Sequence, residues 1–172
     1  MTGTLEQTST GWALRFVRQL RHNPAKVWAA ITDPEQRAAW FPDTMIGELA
    51  PGATLRFVTG IDAIPEFTGT VLAVEPERLL EFTWGEDVLR FEIEPTAEGC
   101  TLTLRDTIAE LGKAARDGAG WQVCLEKLDD LLAGRPQGDA DSARWTEIHP
   151  EYVAAFGPEA ATIGPPAGWD GT

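Results

Sequence analysis

The chain has 172 residues, a length that suits one domain with a tail and lets about 70% of the unfolded surface be buried. Hydrophobic content of 43% and charged content of 24% are ordinary for a globular protein, but the net charge of −13 is not. Such acidity repels phosphate backbones and acidic lipids, so nucleic acid and membrane are excluded as partners. No apolar run approaches the length of a membrane span, and the first eleven residues, MTGTLEQTSTG, lack the basic start and apolar core of a secretion signal. With two cysteines and no such signal, the expectation is reduced thiols in the cytoplasm.

Taken in order, Trp12, Leu14, Phe16, Arg18 and Leu20 alternate with Ala13, Arg15, Val17 and Gln19, which predicts a first strand. Asn23 then caps a short helix with Pro24 at its first position, and Val27, Trp28 and Ile31 give it an apolar side. Asp33-Pro34 repeats the start signal for a second short helix over residues 35–41 that displays Arg37, Ala38 and Trp40 and stops at Pro42. Strands follow: a weak one at 44–49, a clearer one at 54–59, then 66–74 and 78–84 around the Glu75-Pro76-Glu77 turn, 88–94 and 101–108. Connections this short imply antiparallel neighbours.

The stretch Gly118–Gly134 carries Trp121, Cys124, Leu125, Leu128, Leu131 and Leu132 on one helical stripe, with Gln122, Glu126, Lys127, Asp129 and Asp130 opposite. Gly134 and Pro136 end it, and a start near Lys113 makes the helix about 30 Å long. Beyond it, RPQGDADS reads as a linker. Trp145, Ile148, Tyr152 and Phe156 then mark one side of a further helix, expected to dock on the domain or on a second copy in a homodimer. Trp169, in the Gly/Pro-rich end, is a further contact expected to hold the tail to the body.

Several motifs agree in order and spacing with one superfamily. Arg18, Leu20, Pro24, Val27, Trp28, Thr32-Asp33-Pro34 and Trp40 near the start fit it, as do Phe67-x-Gly69-x-Val71, Pro76, Leu79, Phe82 and Trp84 in the middle. Gly120-Trp121 with Leu125 and Leu128 fits its long helix. Over roughly residues 10–134 the chain resembles the SRPBCC superfamily (the START and birch-pollen-allergen helix-grip fold), and most of all the branch named after the activator of heat-shock-protein-90 ATPase. The resemblance implies an α+β fold in which a curved antiparallel sheet of about six or seven strands wraps a long C-terminal helix. Residues 1–134 would form that domain and 135–172 an extension. The superfamily includes lipid carriers, hormone receptors, cyclases, hydrolases and co-chaperone domains, so the fold alone does not fix the activity.

The chemistry-bearing residues narrow the choice. His22 and His149 are the only histidines and have no metal-ligand spacing; no metal and no cofactor is expected. Ser9 and Ser142 lie in turn-rich segments without a base in motif spacing, and Cys100 and Cys124 read as inward-facing apolar fillers. Charges on apolar strand sides stand out: Arg18 beside Phe16 and Leu20, and Asp106 between Leu104 and Ile108. A buried charge must find a partner or change its protonation state. Glu66, at the head of its strand, is a candidate mouth residue. In a helix grip, Trp40, Phe57, Phe67, Phe82, Trp84, Phe91, Trp121 and Leu125 would converge between sheet and helix, as a filled core or as a pocket for a small apolar or amphipathic molecule with Arg18 and Asp106 as polar contacts. An enzyme of cyclase, dehydratase or hydrolase type using Asp106 or Glu66 for proton transfer, and a chaperone-accessory module, are the alternatives.

Overall fold

Eight antiparallel strands form one sheet in the computed structural model, which describes residues 2–9, 11–61, 64–136 and 141–165. The strands are β1 (Gly3–Thr8), β2 (Gly11–Leu20), β3 (Thr44–Ile46), β4 (Thr54–Val58), β5 (Phe67–Glu75), β6 (Leu79–Trp84), β7 (Asp87–Thr96) and β8 (Gly99–Ile108), in the spatial order β1-β2-β8-β7-β6-β5-β4-β3. The helices are α1 (Pro24–Thr32), α2 (Pro34–Arg37), α3 (Ala114–Ala133) and α4 (Asp141–Phe156). This is the α+β helix grip that the resemblance implied, with one strand more than expected. The addition is β1, which pairs with β2 from Gly3↔Phe16 to Thr8↔Gly11. Its sequence GTLEQT has one large apolar residue, so alternation could not announce it.

Strand alternation sets the two faces of the sheet. Phe16, Leu55, Phe57, Val71, Phe82, Leu89, Phe91, Ile93, Leu102 and Leu104 are buried on the side that α3 covers. α1 and α2 begin at the caps read from sequence: Asn23 accepts from the Lys26 N–H at 2.8 Å, and Asp33 from the Gln36 N–H at 3.0 Å. Arg37 is buried instead of displayed, because its guanidinium donates to the carbonyls of Thr32 and Met45, each at 2.9 Å, and so ties α1 to β3.

α3 is preceded by a 3-10 turn at Leu111–Lys113 and ends on Gly134, whose φ of 67° is the left-handed cap that glycine adopts without a Cβ penalty. Gln122, on the side read as polar, is buried because α4 and the chain start cover it. Its Oε1 accepts from the Tyr152 hydroxyl at 2.7 Å and from the Thr2 N–H at 3.1 Å, while Tyr152 Oη accepts from the Gly3 N–H at 3.1 Å. Gly118 lets the helices approach: a Cβ there would stand 2.7 Å from the Tyr152 ring. Ile148 and Tyr152 are buried, and Arg144 pairs with Glu126 at 2.9 Å, so α4 lies on α3 of the same chain. Trp169 is outside the described residues. Cys100 is buried, Cys124 is partly exposed, and the two form no disulfide. Among the described residues no helix is long and apolar enough to cross a membrane.

Candidate functional site

β8 carries a carboxylate into the core. The alternation that buries Leu102, Leu104 and Ile108 gives Asp106 the same direction, and it pairs in register with Leu14 of β2 and Leu89 of β7. It has no exposure, and the Trp121 indole of α3 donates from Nε1 to its Oδ2 at 2.8 Å. Its Oδ1 has no hydrogen-bond partner among the described residues. Asp87, the first residue of β7, is also buried; it accepts from the Ala109 N–H at 2.8 Å and from Lys113 Nζ at 2.6 Å. Asp117 stands in the first turn of α3, where the helix dipole favours a negative charge, and accepts from Arg116 Nε at 2.6 Å through Oδ1. Its Oδ2 is buried without a hydrogen-bond partner among the described residues.

One oxygen from each of Asp87, Asp106 and Asp117 lies within 4.8 Å of the others. A divalent ion could bridge that spacing, but Lys113 already brings a cation to it. Burial pushes the Asp106 carboxyl far above the usual carboxylate range, and the charges of Asp87 and Asp117 push it further, against the Trp121 hydrogen bond and Lys113. Asp117 is raised mainly by burial as well, with Arg116 opposing.

In front of this cluster the surface opens. A cleft of about 410 Å³ is walled by Pro42, Ile61, Ile64, Phe67 and Trp84, with Asp43, Asp87, Lys113 and Asp117 along its polar side. A smaller one of about 170 Å³ lies between Trp84, Trp121, Cys124 and Trp145. Pro42, Trp84, Arg116 and Asp117 belong to both. Trp84 is held in place by donating from Nε1 to Asp43 Oδ2 at 2.7 Å, and its ring centroid is 5.5 Å from that of Trp121 and 6.1 Å from that of Phe67. Deeper in, the space among Ile31, Trp40, Phe41, Met45, Leu80, Phe82 and Phe91 has no room for a water molecule.

The structure therefore divides the residues singled out from sequence. Phe67, Trp84 and Trp121 line the clefts, and Asp106 stands behind Trp121. Trp40, Phe57, Phe82, Phe91 and Leu125 are buried in the filled core; the Trp40 indole donates to the Ala30 carbonyl at 2.9 Å, and Phe82 stacks near both Phe57 and Phe91. Arg18 lines neither cleft: its guanidinium donates to Thr2 Oγ1 at 3.0 Å and lies 3.7 Å from Asp129. Glu66 is exposed and paired with Arg56 at 2.7 Å.

Residues 21–133 match the family model described as activator of Hsp90 ATPase homolog 1-like protein, which covers more than half of the chain. The chain belongs to this family. It is thereby a member of the SRPBCC superfamily, whose fold commonly binds hydrophobic ligands. No curated protein matches it. Solved structures similar to this family member include the conserved protein of unknown function EF2215 from Enterococcus faecalis, with 20% identity, a TM-score of 0.74 and 88% of each chain covered. CalU16 from Micromonospora echinospora shares 20% identity at a TM-score of 0.69, over 90% of this chain and 96% of its own. Protein MLL2253 from Mesorhizobium loti shares 28% at 0.62, over 72% of this chain and 98% of its own.

For this activator-of-Hsp90-ATPase-like chain, sequence reasoning missed Asp43, Asp87, Lys113 and Asp117. Asp87 looks like the end of a Gly-Glu-Asp turn, and Asp117 like an ordinary first-turn helix acid. One signal was available. Asp87 stands two residues before Leu89, the first of the inward positions Leu89, Phe91 and Ile93 of its strand, so period two places it on the inner face. Phe41 was missed too, although its ring lies 5.8 Å from Trp121 and 6.2 Å from Trp84, centroid to centroid.

Proposed function

We propose that the protein binds a small apolar or amphipathic molecule at the open end of the grip, against Phe67, Trp84 and Trp121, and not in the middle of the sheet–helix space. The observation that carries this reading is the cleft of about 410 Å³, an apolar wall of Pro42, Ile61, Ile64, Phe67 and Trp84 facing a few placed polar groups. That combination of an apolar lining with convergent polar groups is what small-molecule sites offer. Family membership supports it in general terms, since the superfamily commonly binds hydrophobic ligands.

The test is a titration with 1-aminoanthracene, an uncharged fluorescent probe, followed by its emission. Saturable binding is expected in the native chain, with Trp84→Ala about tenfold weaker, an effect of about 1.4 kcal/mol. Trp40→Phe should leave the affinity unchanged. Equal affinity in Trp84→Ala, or no saturable binding at all, would overturn the reading.

A second reading has its own observation. A carboxyl as buried as Asp106, behind a cleft and with a strongly raised pKa, is also how an enzyme holds a general acid. Turnover of a bound molecule that disappears in Asp106→Asn would favour it over binding alone.

A further inference from the structure

The proposed ligand cleft has a charge pattern that discriminates among apolar molecules. Asp43, Glu86, Asp87 and Asp117 line it against Lys113 and Arg116, four acidic side chains to two basic ones. Both cations are engaged. Lys113 Nζ lies 2.6 Å from Asp87 Oδ2, and Arg116 gives Nε to Asp117 Oδ1 at 2.6 Å and Nη1 to the Gly164 carbonyl at 3.3 Å. Asp43 has already accepted the Trp84 indole. What the cleft has left to offer is hydrogen-bond acceptors and negative charge.

Behind the wall, Asp106 of β8 faces Asp87 of β7, Lys113 of the 3-10 turn, and Asp117 and Trp121 of α3. Among the described residues, Asp106 Oδ1 and Asp117 Oδ2 are closed off from solvent and lack hydrogen-bond partners, and the donors nearby (Ala109 N–H, Lys113, Arg116 and Trp121) each bond another oxygen of the cluster. Three carboxylates facing two cations leave one negative charge uncompensated. A single proton balances it; a divalent ion overshoots. Like-charged carboxylates this close do not all ionise, so the proton belongs between Asp106 and Asp117.

We propose that the cleft selects amphipathic molecules bearing a cationic nitrogen, whose charge takes over from the proton that the Asp106–Asp117 pair otherwise holds. An ammonium in front of Asp117 meets the uncompensated charge, and Trp84 and Trp121, which line the adjoining smaller cleft with Asp117, are ring systems of the kind that attract a cation. The net charge of −13 draws such cations toward the protein from a distance. A fatty carboxylate, by contrast, meets a lining in which like charge prevails and both cations are already paired. Proton and ligand are linked: seating a cation beside the pair lowers its affinity for the proton, so binding releases one.

This inference rests on the cleft being the ligand site, and the experiment separates the two claims. Calorimetry on the full chain compares decylammonium, decanol and decanoate, which share one tail, at about 0.15 M salt to screen surface attraction. Titrations in two buffers of different ionisation enthalpy count the protons. Decylammonium is expected to bind about tenfold more tightly than decanol, with decanoate weakest, and to release a proton that decanol does not. Asp117→Asn should remove the preference and keep decanol binding. Glu98→Gln, a loss of one exposed charge elsewhere, should keep the preference, and Asp106→Asn should abolish the proton release even if Asp117→Asn fails to fold. Equal binding of decanol and decylammonium, a preference for decanoate, or decylammonium binding without proton release overturns the charge inference and leaves the apolar cleft standing. Failure of all three probes to bind overturns both.

Discussion

Replacing Tyr152 by alanine is expected to destabilise the protein by about 3–5 kcal/mol, the range for removing a fully buried aromatic side chain. For a chain of this length that is a fall in Tm of about 6–20 °C. The reason lies in how α4 sits. Tyr152 has no exposure, packs against Gly118 of α3 and edge-on to Phe156, and its hydroxyl joins the Gly3 N–H to the Gln122 amide. Three separate stretches of chain meet at that one oxygen. Tyr152→Phe keeps the ring and loses the bridge, leaving the Gly3 donor without this partner, and should cost about 1–3 kcal/mol. Thermal unfolding of the two variants measures both steps. If Tyr152→Ala unfolds at the native temperature, α4 does not support the domain in the way its contacts indicate.

Stability should also fall with rising pH through Asp106, and Asp106→Asn should remove that dependence. The folded-state pKa of Asp106 is raised by burial and by Asp87 and Asp117, whereas in the unfolded chain the group titrates near the ordinary carboxylate value of about 4. Between those two values the folded state binds more protons than the unfolded one, so stability declines as pH rises, by up to about 1.4 kcal/mol per pH unit for one proton. The contribution is complete below the unfolded value and lost as pH passes through the raised folded value. Asn at position 106 keeps an acceptor for the Trp121 indole and places an amide N–H where the carboxylic acid would carry its proton. Urea unfolding across pH 4–9 should therefore show Asp106→Asn gaining on the native chain as pH rises. A difference that does not change with pH, or that runs the other way, would mean that Asp106 is ionised in the folded protein.

Much of the fold could be read from the chain because its signals are local. The alternation of Leu102, Leu104, Asp106 and Ile108, the Asn23-Pro24 and Asp33-Pro34 starts and the Gly134 stop depend on near neighbours, and each corresponds to an observed strand, cap or terminus. β1 escaped because an edge strand beside one neighbour buries little and needs few apolar residues. Gln122 was misplaced because its burial depends on Tyr152, 30 positions away. The site was legible only at Asp106, where the charge contradicts its own strand. Its companions Asp87, Lys113 and Asp117 stand at a strand head, in a 3-10 turn and in a first helical turn, where polar residues are ordinary. Whether the aromatics formed a core or a pocket was equally a question of shape. Trp40, Phe82 and Phe91 close the middle, while Phe67 and Trp84 remain at the rim.

The most direct measurement of where a ligand sits is the set of tryptophan indole N–H resonances in a ¹⁵N-labelled sample titrated with 1-aminoanthracene. Binding at the open end predicts that the Trp84 and Trp121 signals, assigned through Trp84→Phe and Trp121→Phe, move with saturation, while the Trp40 signal, bonded to the Ala30 carbonyl in the filled core, stays where it is. A shifting Trp40 signal beside an unmoved Trp84 signal would place the ligand inside the grip and contradict the account.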